Sequence, residues 1–358
     1  MKAALLRSIG EPLMVVDDMQ TIAVGAGQVK IRVRAAGLCH SDLSAMTGRI
    51  KAPIPLVPGH EGAGEVLEVG PGVDSVVAGD HIVVNFVPAC GLCGHCLRGE
   101  GNLCMEIVPS IASTPSFRLD GEPVYGMTGC GTFTEELVLP QQAVVKIDDD
   151  VPFDIAALIG CSVTTGTGAV FNTAKVEAGS TVAIIGCGGV GISAMMAAKL
   201  ARASVITGID PNPMKREVVL NYGATAAVSP EEASESGAHL TDGMGFDFVF
   251  EVVGHSSTVK QAYQLARRGG TVVVVGLGTR GDNLELPMSS LAPNGRTVVG
   301  SGYGGKEVPS QMHNLINLWR QSALDLSSLV THRIGLDDIN RGFDLMKVGD
   351  GIRTVIDM

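Results

Sequence analysis

The sequence predicts a two-part α/β protein, β-rich in its first half and built as a doubly wound parallel sheet in its second. Three observations predict it. The chain has 358 residues, more than one hydrophobic core usually serves. Near Ser180 the hydrophobic pattern changes from period-2 alternation to apolar runs separated by helical stretches. A Gly-x-Gly-x-x-Gly run, Gly186/Gly188/Gly191, lies between one such run and the long helical stretch after it.

In the first part, Gln28–Ala35 alternates apolar and polar residues, the pattern of a half-buried strand. Gly64–Val69, His81–Phe86 and Thr134–Leu139 read as further short strands, with turns at Gly70-Pro71-Gly72 and Ala78-Gly79-Asp80. In the second part the predicted strands are Thr181–Ile185, Val205–Ile209, Ala226–Ser229, Phe246–Glu251, Thr271–Val275 and Thr297–Ser301. A helix is predicted over Val190–Ala203. Such Val/Ile-rich runs suit strands buried on both faces by crossover helices.

Composition narrows the function. The chain is 45% hydrophobic and 18% charged, enough apolar matter for packed cores and against disorder. A net charge of −11 and no run of Lys and Arg argue against nucleic acid as a partner. The apolar stretch Val182–Ala198 is interrupted by Gly186-Cys187-Gly188-Gly189 and falls short of about 18 clean apolar residues, so no membrane span is expected there. Arg7 cuts short the apolar Ala3–Leu6, which leaves no secretory pattern and an expectation of the cytoplasm.

Glycine is the outlier, with 47 residues, near twice the usual share of about 7%. At that density the Gly-x-Gly-x-x-Gly pattern arises roughly once by chance. It occurs three times, also at Gly276/Gly278/Gly281 and Gly300/Gly302/Gly305. Only the first sits between strand and helix with an acid, Asp210, ending the next strand about 24 positions on. In that context Gly186 permits a tight turn, Gly188 lets backbone approach a pyrophosphate, and Gly191 lets helix and strand pack closely. The helix amino terminus then presents free N–H groups to the phosphates. Asp210 would accept from both ribose hydroxyls and repel a 2′-phosphate, selecting NAD over NADP. The other two matches read as strand-end turns.

Six of the eight cysteines fall into two groups. Cys90, Cys93, Cys96 and Cys104 form C-x2-C-x2-C-x7-C, which suits a closed, structural tetrahedral zinc site. Two disulfides are the alternative, disfavoured beside an intracellular cofactor fold. Cys39, His60 and Cys161 match the Cys2His set of a catalytic zinc, but spacing alone does not assemble them.

A resemblance does. Gly37-Leu38-Cys39-His40-Ser41-Asp42, Gly59-His60-Glu61-Gly62-Ala63-Gly64, the four-cysteine lobe, Gly186–Gly191 and Ile352-Arg353-Thr354 resemble the zinc-containing medium-chain alcohol dehydrogenases, nearest the liver-type and class III branch. The resemblance runs from about residue 2 to the end. It implies a GroES-like catalytic domain, 1–162 and 303–358, with a structural zinc lobe at about 88–106, and a Rossmann domain, 163–302. It implies hydride transfer between an alcohol and NAD, with two zinc ions per subunit, to give an aldehyde or ketone. Cys39, His60 and Cys161 would hold the catalytic zinc, which lowers the pKa of a bound alcohol. Asp42 would orient His60, Glu61 would stand behind the metal, and Ser41 would take the alcohol proton. Where some relatives end the proton relay with His, this chain has Ser44.

For the cofactor, the resemblance implies contacts from His40, Thr165, Val190, Val275, Leu277, Lys215 and Arg353, besides Gly186, Gly188, Gly189, Gly191 and Asp210. Phe86 would wall the substrate pocket, with Ile50 and Met127 beside it. Cys130 and Cys187 are expected to be spare buried thiols. A glutathione- or other thiol-dependent formaldehyde dehydrogenase is the alternative, but Gly48–Pro53 lacks the acid that the class III loop carries. A non-catalytic zinc- and NAD-binding structural protein is more remote, because it has no need of ligands, Ser41 and fingerprint together. Residues 296–301 match an edge strand that pairs two subunits, which implies a homodimer or homotetramer.

Overall fold

A computed structural model describes residues 1–306 and 308–358. The chain forms two compact units, Met1–Cys161 with Lys306–Met358, and Ser162–Gly305.

The first unit is built on a sheet in the strand order Val144–Ile147, His81–Val84, Glu61–Val69, Gln28–Gly37, Arg353–Asp357, Val330–Gly335, with Glu136–Pro140 also paired to Gln28–Gly37. The carboxyl-terminal strands therefore complete a sheet begun some 300 residues earlier in the chain, about as non-local as pairing becomes. Gln28–Gly37 alternates buried and exposed residues up to Arg34, as its period-2 pattern requires. Leu5, Leu6, Ile31, Leu56, Phe117, Phe133 and Phe343 are buried in one core. Two features went beyond the sequence reading. Pro115–Leu119 and Glu122–Gly126 form an antiparallel hairpin, and Phe153–Ala174 is one 22-residue helix, in this unit up to Cys161 and in the second from Ser162. That helix is long and apolar enough to cross a membrane, but 83% of its apolar window is buried inside the protein.

The second unit is a six-stranded parallel sheet. Its strands are β1 (Thr181–Ile185), β2 (Val205–Ile209), β3 (Ala226–Val228), β4 (Phe246–Glu251), β5 (Ala266–Val274) and β6 (Thr297–Gly300). They stand in the order β3-β2-β1-β4-β5-β6, the order of dinucleotide-binding sheets. Each expected strand is present, and β5 starts five residues earlier than Thr271. Helix Gly189–Leu200 follows β1 and is apolar nearly all round, which matches its almost complete burial.

Candidate active site

The first cluster lies in the first unit, where Cys39, His60, Glu61 and Cys161 bring their ligand atoms within 4.8 Å of one another, all buried. Cys39 caps the short helix His40–Met46 as Gln28–Gly37 ends. His60 and Glu61 enter the adjacent strand, Glu61 directly opposite Gly37. Cys161 lies on a π-helical turn, Ile159–Val163, inside the long helix. Such turns recur at functional sites because the extra residue re-aims one side chain.

Asp42 organises this cluster. Its Oδ1 accepts from the Gly59 N–H at 3.1 Å and lies 2.9 Å from His60 Nδ1, while Oδ2 accepts from the Cys39 N–H at 2.9 Å. With Nδ1 committed to a buried carboxylate, Nε2 is the ring nitrogen left to ligate a metal. Burial lowers the pKa of the His60 ring, yet the Asp42 charge and hydrogen bond outweigh it and raise it well above the ordinary value. A hydrogen bond between the two thiols holds Cys39 well below its ordinary value and pushes Cys161 well above. Two cysteine thiols and one imidazole converging in a buried site are a donor set suited to a divalent, thiophilic cation.

Glu61 pairs with Arg353, and both are buried. Arg353 begins the strand that flanks Gly37 on the other side, so the two charged chains meet over Gly37. A Cβ at Gly37 would stand 2.3 Å from Glu61 Oε2 and 3.2 Å from Arg353 Nη2, so only glycine fits there. Burial raises the Glu61 carboxyl to about 8 against the pull of Arg353. Glu61 Oε1 has no hydrogen-bond partner among the described residues. Arg353, expected at the cofactor phosphates, is here paired with Glu61 through Nη2. The ring of Phe86 stands edge-on to His60, with centroids 4.9 Å apart. Ser41 is half-buried on the same short helix, His40 is exposed, and Ile50 is half-buried with its N–H on the Ser44 carbonyl. Met127 is buried in the core.

The second cluster is the four-cysteine lobe, where Cys90, Cys93, Cys96 and Cys104 also lie within 4.8 Å. Cys90 and Cys96 are 3.8 Å apart, Cys93 and Cys96 3.5 Å. A tetrahedron of Zn–S bonds near 2.3 Å requires an edge of about 3.8 Å. A disulfide requires about 2.05 Å, and all four cysteines are free. Backbone N–H groups, the Cys96 one first, bring the Cys93 thiol down to about 6. Both donor sets therefore fit zinc. Cys130 and Cys187 are buried and belong to neither set, their thiols pushed up by burial to about 11 and about 12.

In the second unit the fingerprint glycines separate by role. Gly186 has φ +102° and lies beside Val252 and Val253. A Cβ at Gly191 would stand 1.9 Å from the Gly186 carbonyl oxygen, whereas one at Gly188 would meet nothing within 4 Å. Turn, close packing and open approach are each present. The buried Asp210 accepts from the Cys187 N–H through Oδ2 and the Asn212 N–H through Oδ1, both at 2.9 Å. Lys215 is half-buried on helix Pro213–Val219, and Val190 on the first turn of the fingerprint helix. Val275 and Leu277 follow β5 at the carboxyl edge of the sheet, with Leu277 70% exposed. Thr165 is half-buried on Thr164–Gly168. Gly276–Gly281 and Gly300–Gly305 fall at the ends of β5 and β6, as strand-end turns.

Residues 25–149 match the alcohol dehydrogenase GroES-like domain, and residues 189–319 the zinc-binding dehydrogenase domain. The chain is 35% identical over 373 residues to S-(hydroxymethyl)glutathione dehydrogenase of Paracoccus denitrificans, covering 99% of each. It is 36% identical over 374 residues to alcohol dehydrogenase class-3 of Cereibacter sphaeroides, again 99% of each. Among solved structures, benzyl alcohol dehydrogenase of Acinetobacter calcoaceticus is similar with a TM-score of 0.93 at 27% identity, over 100% of this chain and 99% of that one. The chain belongs to the zinc-containing medium-chain alcohol dehydrogenases, oxidoreductases that act on small-molecule alcohols with zinc and a nicotinamide dinucleotide.

Proposed function

We propose that this enzyme oxidises a small alcohol to its aldehyde or ketone with NAD, and runs the reverse reaction when the aldehyde is supplied. The buried Cys39–His60–Cys161 set, with Asp42 on the far nitrogen of His60, carries the reading. Zinc supplies Lewis acidity toward the alcohol oxygen, and NAD supplies the hydride acceptor.

The chain's own groups do the rest. Cys39, His60 and Cys161 hold the catalytic metal, and the lobe cysteines hold the structural one. Asp42 fixes the His60 tautomer, so the ligating nitrogen needs no reorganisation. Ser41 accepts the alcohol proton at its hydroxyl, and with Ser44 in the family's His position the proton leaves through water or the Ser44 hydroxyl. Phe86 and Ile50 supply apolar surface that keeps water from the reacting carbon. Glu61, paired with Arg353, stands behind the ligands with one oxygen beside the metal site. In the second unit, Gly186–Gly191 cradles the pyrophosphate, and Asp210 takes the adenosine ribose hydroxyls with Lys215 in support. Val275, Leu277 and Thr165 serve the nicotinamide side. On this reading residues 1–162 with 303–358 are the catalytic domain and 163–302 the cofactor domain.

The edge strand β6 carries an exposed Val298 and pairs with β5 alone within the sheet, which supports its joining a second copy in a homodimer or tetramer. The cytoplasm suits the free thiols. Identity to two class III relatives favours a second reading, oxidation of a hydroxymethyl-thiol adduct. Against it, Gly48–Pro53 offers Arg49 and Lys51 and no carboxylate.

A screen of primary, secondary and aromatic alcohols, and of formaldehyde with and without glutathione, separates the two readings by reduced-nicotinamide absorbance. Turnover of simple alcohols without a thiol supports the first; turnover only with glutathione supports the second. Asp210→Gly should erode the NAD-over-NADP preference by about tenfold or more, since no carboxylate then repels a 2′-phosphate. An unchanged ratio would place selectivity elsewhere.

A further inference from the structure

One buried acid in the second unit has no part in the reading above. Glu251 ends β4 and is fully buried, with no ion-pair partner among the described residues. A buried carboxyl group is expensive to retain unless its bonds do something specific. Its Oε1 accepts three hydrogen bonds: from the Val253 N–H at 2.9 Å, the Gly254 N–H at 2.7 Å and the Thr258 hydroxyl at 2.7 Å. Its backbone carbonyl accepts the N–H groups of Val275 at 2.8 Å and Gly276 at 3.1 Å. Oε2 has no partner among the described residues.

The place of these bonds gives them meaning. Ile185, the residue before the fingerprint, pairs with Glu251 across β1 and β4. The strand order reverses between those two strands, and a doubly wound sheet takes its ligand at the carboxyl ends where that reversal occurs. Three strand-end turns meet there. The Val252 and Val253 methyls approach to 2.9 Å of where a Gly186 Cβ would stand. A Cβ at Gly254 would lie 2.4 Å from the Leu277 carbonyl oxygen, and one at Gly276 only 2.1 Å from the Gly254 nitrogen. Glu251 is bonded to two of these turns and, through Val252 and Val253, braces the third.

We propose that Glu251 is a positioning residue for the dinucleotide: its carboxyl group and carbonyl lock the turns after β1, β4 and β5 into the shape that receives the nicotinamide half of the cofactor. The proposal rests on the NAD reading above. It also accounts for Thr258, whose hydroxyl shares Oε1 and bonds the His255 carbonyl at 2.8 Å.

Calorimetric titration of the zinc-loaded enzyme with NADH and, separately, with AMP tests it. Glu251→Leu removes the acceptor for three donors and should weaken NADH at least about tenfold, while AMP, held on the Asp210 side, stays within about twofold. Glu251→Gln keeps a carbonyl oxygen for the same donors and should restore NADH affinity to within about threefold of wild type. Should Glu251→Leu fail to fold, Thr258→Val removes one donor and should weaken NADH about threefold, with Thr258→Ser near wild type. Unchanged NADH affinity in Glu251→Leu or Thr258→Val would overturn the proposal, as would equal losses for NADH and AMP. Wild-type enzyme that binds neither ligand would instead overturn the NAD reading.

Discussion

Asp42 and His60 form a buried pair, Oδ1 to Nδ1 at 2.9 Å, and Asp42 uses its remaining capacity on the backbone N–H groups of Cys39 and Gly59. One carboxylate thereby aims one proposed metal ligand and anchors the backbone of another.

Asp42→Asn follows from this count. An amide has one acceptor oxygen where the carboxylate has two, so one buried donor must face an NH2 group. We expect zinc to bind about 10–100-fold more weakly at the Cys39–His60–Cys161 set. The fold should lose about 1–3 kcal/mol. Zinc affinity measured by competition with a chelator checks it; an affinity equal to wild type would mean that His60 needs no such orientation.

Gly37→Ala tests the Glu61–Arg353 contact. The added methyl would lie 2.3 Å from Glu61 Oε2, so the carboxylate or the strand must move. Overpacking costs about 1–3 kcal/mol, and separating a buried ion pair costs more. Thermal unfolding should shift down by several degrees with the lobe zinc retained. A midpoint equal to wild type would show that the contact relaxes freely.

Asp247 supplies the pH dependence. Its Oδ2 accepts from the Thr181 N–H at 2.7 Å and hydroxyl at 2.9 Å, and its Oδ1 from Arg267 at 2.6 Å, tying β4 to β1. Burial pushes the carboxyl up, but the Thr181 and Arg267 bonds outweigh it and hold it below the usual carboxylate range. A folded value below the unfolded one means the stabilisation is full above about pH 4 and lost as pH falls through the folded value. Asp247→Asn should therefore cost about 1–3 kcal/mol at pH 7 in denaturant unfolding, and the gap to wild type should close below about pH 4. A gap independent of pH would assign the effect to shape rather than charge.

Legibility in the sequence followed the range of the interaction. In the second unit β1 and β2 were legible because each is a short Val/Ile-rich run buried at all but its first residue, and β1, β2 and β4 fall where expected. The fingerprint was legible because its glycines and Asp210 lie within one β-α-β unit. The hairpin Pro115–Gly126 was overlooked although its signal was present: Asp120-Gly121 takes φ of 53° and 83°, the Asp-Gly hairpin turn. Helix Phe153–Ala174 gave no such signal. Its residues 159–168 are rich in glycine and threonine, and two π segments break the 3.6-residue period. The Glu61–Arg353 pair joins residues 292 apart and depends on strand register, which no local pattern encodes.

Cys161 sits on that π turn and is the most remote of the proposed ligands, so its replacement tests the central claim most directly. Zinc content and alcohol turnover are measured together for Cys161→Ser. If Cys39, His60 and Cys161 hold the catalytic zinc, the variant keeps about one zinc per chain in the lobe and loses turnover with every alcohol. About two zinc ions per chain with turnover intact would contradict the assignment.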